Sequence, residues 1–278
     1  MTPDQTKAAR ELLAFYVEAG VDAIVGEAPV NHFAPEAGKP ARTGPAANPP
    51  SPPQPRPPPG AASIPPVGVS QASALVLSPD NAVMAARDAA RSAVSLEQLR
   101  TIMQSFQGCA LRVTATQLVF ADGNPQARVM FVGEAPGRDE DLAGLPFVGR
   151  SGKLLDRMLA AIGLDRTTAY IANIIPWRPP GNRTPTPQES QICLPFILRQ
   201  IELANPDVLV CLGGPSSQAL LGFKDGIRRT RGRWLSFDTG SREIRAIATF
   251  HPAYLLRSPL EKRHAWRDFL AIKQALTT

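Results

Sequence analysis

Four apolar segments rich in β-branched residues punctuate the second half of the chain, at 128–133, 170–175, 208–213 and 244–250. Between them, apolar positions recur at helical spacing over 152–162, 187–204 and 215–221. Near-continuous apolar strands alternating with helices are what a parallel sheet covered on both faces requires. Each predicted strand runs into something polar or conformationally special. These ends read Gly133-Glu134-Ala135-Pro136-Gly137, Asn173-Ile174-Ile175-Pro176-Trp177, Gly213-Gly214-Pro215-Ser216 and His251-Pro252-Ala253-Tyr254. In open α/β sheets the ligand crevice lies outside the carboxyl ends of the strands. The four ends are therefore expected to converge on one site.

Upstream the pattern changes twice. Residues 4–20 place Ala8, Leu12, Leu13, Phe15 and Tyr16 near helical spacing, with Thr2 as a cap, so 1–37 is expected to be a helical extension. The stretch 38–66 holds twelve prolines among Gly, Ala, Ser and three cations. Such a composition cannot bury a core, and 38–78 is expected to be a disordered, extended tether, with docking of a protein partner as the second reading. A helical lead-in is predicted over 79–104, extending to about 106. It should break near Val94, where Ser95 and Glu97 can start a new turn. The remaining residues, 105–278, read as one domain.

Charge adds a direction. A formal charge of +6 and a pI near 9.6 suit polyanionic partners, because cations placed on phosphates release counterions. Cys109, Cys193 and Cys211 are too few and too scattered for a disulfide framework. No apolar run reaches the roughly 18 residues of a spanning helix, and the amino terminus lacks a signal-peptide layout. A cytoplasmic protein without membrane contact is expected.

Several short motifs carry chemistry. Glu134 stands at a strand end beside Asp139, Glu140 and Asp141, and clustered carboxylates suit either metal binding or glycoside chemistry. A near copy of this motif at Val25-Gly26-Glu27-Ala28-Pro29 lacks the second glycine and the acids, and is read as coincidence. Gly149-Arg150-Ser151-Gly152 fails the phosphate-loop spacing and the nucleophile-elbow spacing. A glycine-rich loop opening a helix can still hold a DNA phosphate on its free N–H groups. Asn173 offers a carboxamide able to read a pyrimidine edge. After His251, the Tyr254-Leu255-Leu256-Arg257 stretch pairs apolar side chains with a cation, as a DNA wedge would.

Three of these stretches, GEAPGRDEDLAGLPFVGRSGKLLD, NIIPWRPPGNRTPTPQE and HPAYLLRSPLEKRHAWRD, follow one another in the order found in family 4 uracil-DNA glycosylases. The chain resembles that family from about Ser105 to Leu276; 1–95 are not covered. The resemblance implies a three-layer α/β/α sandwich with a four-stranded parallel central sheet. It also implies a monofunctional enzyme that flips uracil out of single- or double-stranded DNA and hydrolyses its glycosidic bond. Deaminated bases other than uracil fall within its scope, and the enzyme is expected to be a monomer. Carried over by position, Glu134, His251 and Glu140 are the catalytic residues. Phe147 and Asn173 hold the base, with Gly133, Ala135 and Asn182 around it. Leu255 is the intercalating residue, and Arg257, Arg150, Ser151 and Arg183 contact DNA.

The family's [4Fe–4S] cluster is held by four cysteines. The corresponding positions here are Phe106, Cys109, Trp177 and Cys193, so two thiolates remain, no cluster is expected, and the two cysteines are read as relics. DNA-crosslinking relatives use a histidine in a Lys-Arg-Arg-Ile-His loop, and no histidine lies between Asn173 and Thr186. Two other readings stand beside the enzyme. One is a uracil- or damage-binding module without turnover, and the other an interaction protein acting through its proline-rich segment.

Overall fold

The computed structural model describes residues 79–277, so the helical extension and the proline-rich tether expected for 1–78 lie outside the described residues. Two helices lead in, α1 (Pro79–Ser92) and α2 (Leu96–Ser105). The break falls where Ser95 caps α2, its side chain accepting from the Gln98 N–H. A one-turn helix α3 (Leu111–Thr114) follows, then β1 (Asp122–Gly123), β2 (Val129–Gly133), α4 (Arg138–Ala143) and α5 (Arg150–Ala161). Next come β3 (Tyr170–Asn173), α6 (Pro187–Ala204), β4 (Val208–Leu212), α7 (Gly214–Leu221) and α8 (Ile227–Thr230). The chain ends with β5 (Trp234–Asp238), β6 (Glu243–Thr249), α9 (Pro252–Arg257) and α10 (Lys262–Thr277).

The sheet has six strands in the order β1-β3-β2-β4-β6-β5. Its four central strands are parallel, as the sequence predicts, and the two additional edge strands are antiparallel. The expectation of four strands thus corrects to six. The short β1 and the β5–β6 hairpin cap the sheet edges, which would otherwise present unpaired backbone groups.

Alternation along the strands makes the sandwich. Met130, Val132, Tyr170, Ala172, Leu209, Cys211, Ile244 and Ala246 point to one face and share a core with side chains of α1, α2, α6 and α7, of which α1 and α2 pack on α6. Val129, Phe131, Ile171, Val208, Val210, Leu212 and Ile247 point to the other, under α5 and α10. Ala82, Ala86 and Ala90 form a stripe of small side chains on α1. The lead-in helices thus share one core with the strands. Thr186 and Glu189 form a capping box at the start of α6, with Pro187 in its first turn.

Phe106, Cys109, Trp177 and Cys193 meet inside that core. Phe106 packs edge-on against Phe196 with centroids 5.0 Å apart, and Trp177 is among the most deeply buried side chains. The two sulfurs lie 3.9 Å apart. Their mutual hydrogen bond holds the Cys109 thiol below the ordinary range and pushes Cys193 above it. Truncating Trp177 would leave a cavity in that core. Trp177→Ala is expected to cost about 3–5 kcal/mol in denaturant-unfolding free energy, and a loss below 1 kcal/mol would show that the ring is not a core element.

Candidate functional site

The register sets the site. Gly133 pairs with Asn173, and Leu212 pairs with Thr249, so the four parallel strands end level with one another. Beyond those ends opens a cleft of about 690 Å³, lined by residues of all four strand-end loops. Glu134, Ala135, Glu140, Phe147, Ser151, Asn173, Asn182, Arg183, His251 and Arg257 all border it. The sequence-derived site residues are therefore brought together, with the exceptions given below.

At the floor, Gly133 has no side chain, and this absence is required. A Cβ there would lie 2.5 Å from Asn173 Oδ1 and 2.6 Å from Phe147 Cζ. The carboxamide and the ring edge thus meet over the glycine. Asn173 is buried, and its Oδ1 is the one buried side-chain oxygen or nitrogen without a hydrogen-bond partner among the described residues. An unpaired acceptor of this kind costs about 1–3 kcal/mol, which a ligand donor would recover.

His251 caps α9. Its Nδ1 accepts from the Ala253 N–H at 3.1 Å, which leaves the proton of a neutral ring on Nε2. Burial, with the Arg257 charge second, lowers its pKa to about 4, so the ring is neutral at physiological pH. It stacks on Phe147 at 5.4 Å between centroids, with 29° between planes. The site thus presents a neutral N–H donor, an orphan acceptor and an aromatic face. Gly213, in a left-handed conformation, lets its chain pass beside His251, where a Cβ would come within 3.0 Å.

The two glutamates differ in kind. Glu134 borders the cleft with no hydrogen bond to its carboxylate among the described residues, and burial raises its pKa. Glu140 is buried, and its carboxylate is fully engaged. Its Oε2 accepts from Gly137 N–H at 3.0 Å, and its Oε1 from Val148 N–H at 3.1 Å and Gly149 N–H at 3.0 Å. Glu140 therefore ties α4 to the Phe147 loop, and Glu134 is the acid open to the cleft.

Leu255, expected to be the wedge, points inward in this structure. Leu255 is only 1 % exposed, because α9 turns it inward into a small core with Phe250 and Ala265. Leu256, at 37 %, is the exposed leucine of the pair. Arg150 is exposed at the start of α5. Arg183 is held in a two-pronged ion pair with Glu189 at 2.8 and 2.6 Å, and Asn182 Oδ1 accepts from Arg178 Nε at 2.7 Å. Those two groups enter the cleft wall already partnered. Sequence reasoning passed over Pro179 and Tyr254, which also line the cleft. Both stand inside the quoted motifs, and that position was the available signal.

A four-thiolate cluster does not fit these residues. Of the four positions expected to face a cluster, Phe106 and Trp177 carry rings packed into the core, and the two thiols of Cys109 and Cys193 do not make up a four-thiolate ligand set.

Comparison with known proteins agrees with this geometry. The sequence profile of the uracil DNA glycosylase superfamily matches residues 120–270. The type-4 uracil-DNA glycosylase of Archaeoglobus fulgidus is 42% identical over 182 residues, covering 64% of this chain and 92% of that protein. The type-4 enzyme of Thermotoga maritima is 46% identical over 154 residues, covering 54% and 77%. That of Saccharolobus solfataricus is 35% identical over 189 residues, covering 66% and 88%. With its strand-end pocket and these matches, the chain belongs to the uracil-DNA glycosylase superfamily.

Proposed function

We propose that this chain excises uracil from DNA by hydrolysing its N-glycosidic bond, releasing the free base and leaving an abasic site. The observation that carries this reading is the pairing of an orphan Asn173 oxygen with a neutral His251 Nε2–H across one aromatic face. Uracil's edge carries O2, N3–H and O4, and a carboxamide can accept from N3–H while donating to O4. Phe147 offers the flipped base a stacking surface. As the bond to the sugar breaks, negative charge grows on the departing base, and His251 Nε2–H stands ready to hydrogen-bond O2. A neutral donor suits this step, since its interaction strengthens as the charge develops.

Glu134 faces the sugar side of the cleft in this reading. Its carboxylate steadies the positive charge on the sugar or takes a proton from the attacking water. Glu140 is a positioning residue. The free first-turn N–H groups at Ser151, with Arg150 and Arg257, hold flanking phosphates, and Leu256 takes the wedge position in place of Leu255. The remaining core thiols serve packing, and the protein works without an iron–sulfur cluster.

The direct test is single-turnover cleavage of oligonucleotides carrying one deoxyuridine, single- and double-stranded. Free uracil and alkali-labile sites are expected. Asn173→Ala and His251→Ala should each slow the chemical step about 10²–10³-fold, while affinity for undamaged DNA stays within about threefold. Retention of uracil-DNA without cleavage would assign the pocket to a binding module instead.

Acid titration tests the proton placement. The His251 ring should titrate near pH 4 by NMR. Because that value lies below the unfolded one, the unfolded state binds more protons between about pH 4 and 6.5, and His251's contribution to stability falls as pH drops through that window. A ring titrating near 6.5 would remove the neutral-donor argument. For the cluster, anaerobically purified protein should lack the broad visible band of iron–sulfur centres, and Cys109→Ser with Cys193→Ser should keep its cleavage rate. Stoichiometric iron, lost in that double variant, would contradict the reading.

A further inference from the structure

Phe147 adopts φ +55, a left-handed conformation that a bulky aromatic residue occupies only under compulsion. Three features hold it there. Gly152, on the first turn of α5, allows the Phe147 carbonyl to sit where any Cβ would be 1.7 Å from its oxygen. Glu140 Oε1 accepts from the two N–H groups that follow, Val148 and Gly149. The third is Arg166, in the turn before β3 and not itself among the cleft-lining residues. Its guanidinium donates to the Phe147 carbonyl and, at 3.2 Å, to the Pro146 carbonyl. Two carboxylates aim it. Asp122 of β1 pairs with one terminal nitrogen, and Asp156 of α5 accepts from Nε at 2.9 Å.

The loop is thus gripped by a cation on its carbonyls and by an anion on its next amides, with the strained residue between them. We infer that Arg166 is a positioning residue for uracil recognition, acting by locking Phe147 in the left-handed conformation that turns its ring into the base pocket. The inference rests on the proposed uracil reading of the cleft. Without the guanidinium, the Glu140 grip remains but residue 147 relaxes to an ordinary negative φ in part of the population, where the ring leaves the position over Gly133 and beside His251. A site whose competent conformer is populated only fractionally loses apparent affinity by that fraction. The base pocket therefore weakens, while the phosphate contacts, made by other residues, do not.

The experiment compares wild type, Arg166→Ala, Arg166→Lys, Phe147→Ala and the Arg166→Ala/Phe147→Ala double variant. Inhibition by free uracil reads the base pocket, affinity for undamaged duplex reads the backbone contacts, and single-turnover cleavage reads the chemistry. Arg166→Ala should weaken uracil inhibition tenfold or more and slow cleavage, with duplex affinity within twofold of wild type. Arg166→Lys, which keeps one donor on the carbonyls, should fall between the two. In the Phe147→Ala background, removing Arg166 should cost nothing further, because the two residues act as one unit. Additive losses, or equal loss of uracil and duplex affinity, would overturn the proposal. Amide hydrogen exchange across 144–152 supplies a readout independent of uracil. Arg166→Ala should speed exchange in that segment selectively, and unchanged exchange would overturn the clamp. If wild type neither releases nor binds uracil, the substrate reading fails, and the exchange data still decide whether Arg166 locks the loop.

Discussion

The parallel alignment of β2, β3, β4 and β6 is the constraint on which the site depends. Strands that all run one way place all their carboxyl ends at one edge, and the backbone must leave the sheet there in four separate loops. Each loop contributes one kind of group within a few residues of its strand, namely a carboxylate at Glu134, a carboxamide at Asn173, a close-passing glycine at Gly213 and an imidazole at His251. No single loop could gather this set. The sheet's rigidity supplies the preorganisation that makes a fixed N–H donor more useful than a mobile one.

Other groups fix the cleft-lining side chains from behind. Glu140 accepts from the amides of 148 and 149, Arg166 donates to the carbonyls of 146 and 147, and the Ala253 N–H fixes the His251 tautomer. On one face of the sheet, Phe106 and Trp177 pack into the same core as Cys109 and Cys193. Trp177 directly precedes the Arg178–Arg183 stretch that walls the cleft, so packing in the core and shape at the pocket mouth share one segment of chain.

Much of this architecture is legible in the sequence because parallel strands buried on both faces leave long apolar runs. The break at Ser95 and the capping box at Thr186 are local signals of the same sort. What the sequence conceals is non-local. The edge strands β1 and β5 are short or only partly buried, and they exist because a neighbour pairs with them. Leu255 and Leu256 are chemically alike, and the docking of α9 alone decides which one is buried. Glu140 reads from the sequence as one acid of a cluster, and its amide partners at Val148 and Gly149 come from a separate loop. Arg166 lies 19 residues from the carbonyl it grips and 44 from Asp122, so no short motif contains them.

In the proposed function, the strand-end pocket reads uracil through His251 Nε2–H. The most direct measurement is the imidazole nitrogen spectrum of His251 at neutral pH, recorded as free uracil is added. A neutral ring protonated on Nε2 is expected, with its N–H resonance shifting saturably on uracil addition and unmoved by adenine. A ring protonated on both nitrogens, or a resonance indifferent to uracil, would contradict it.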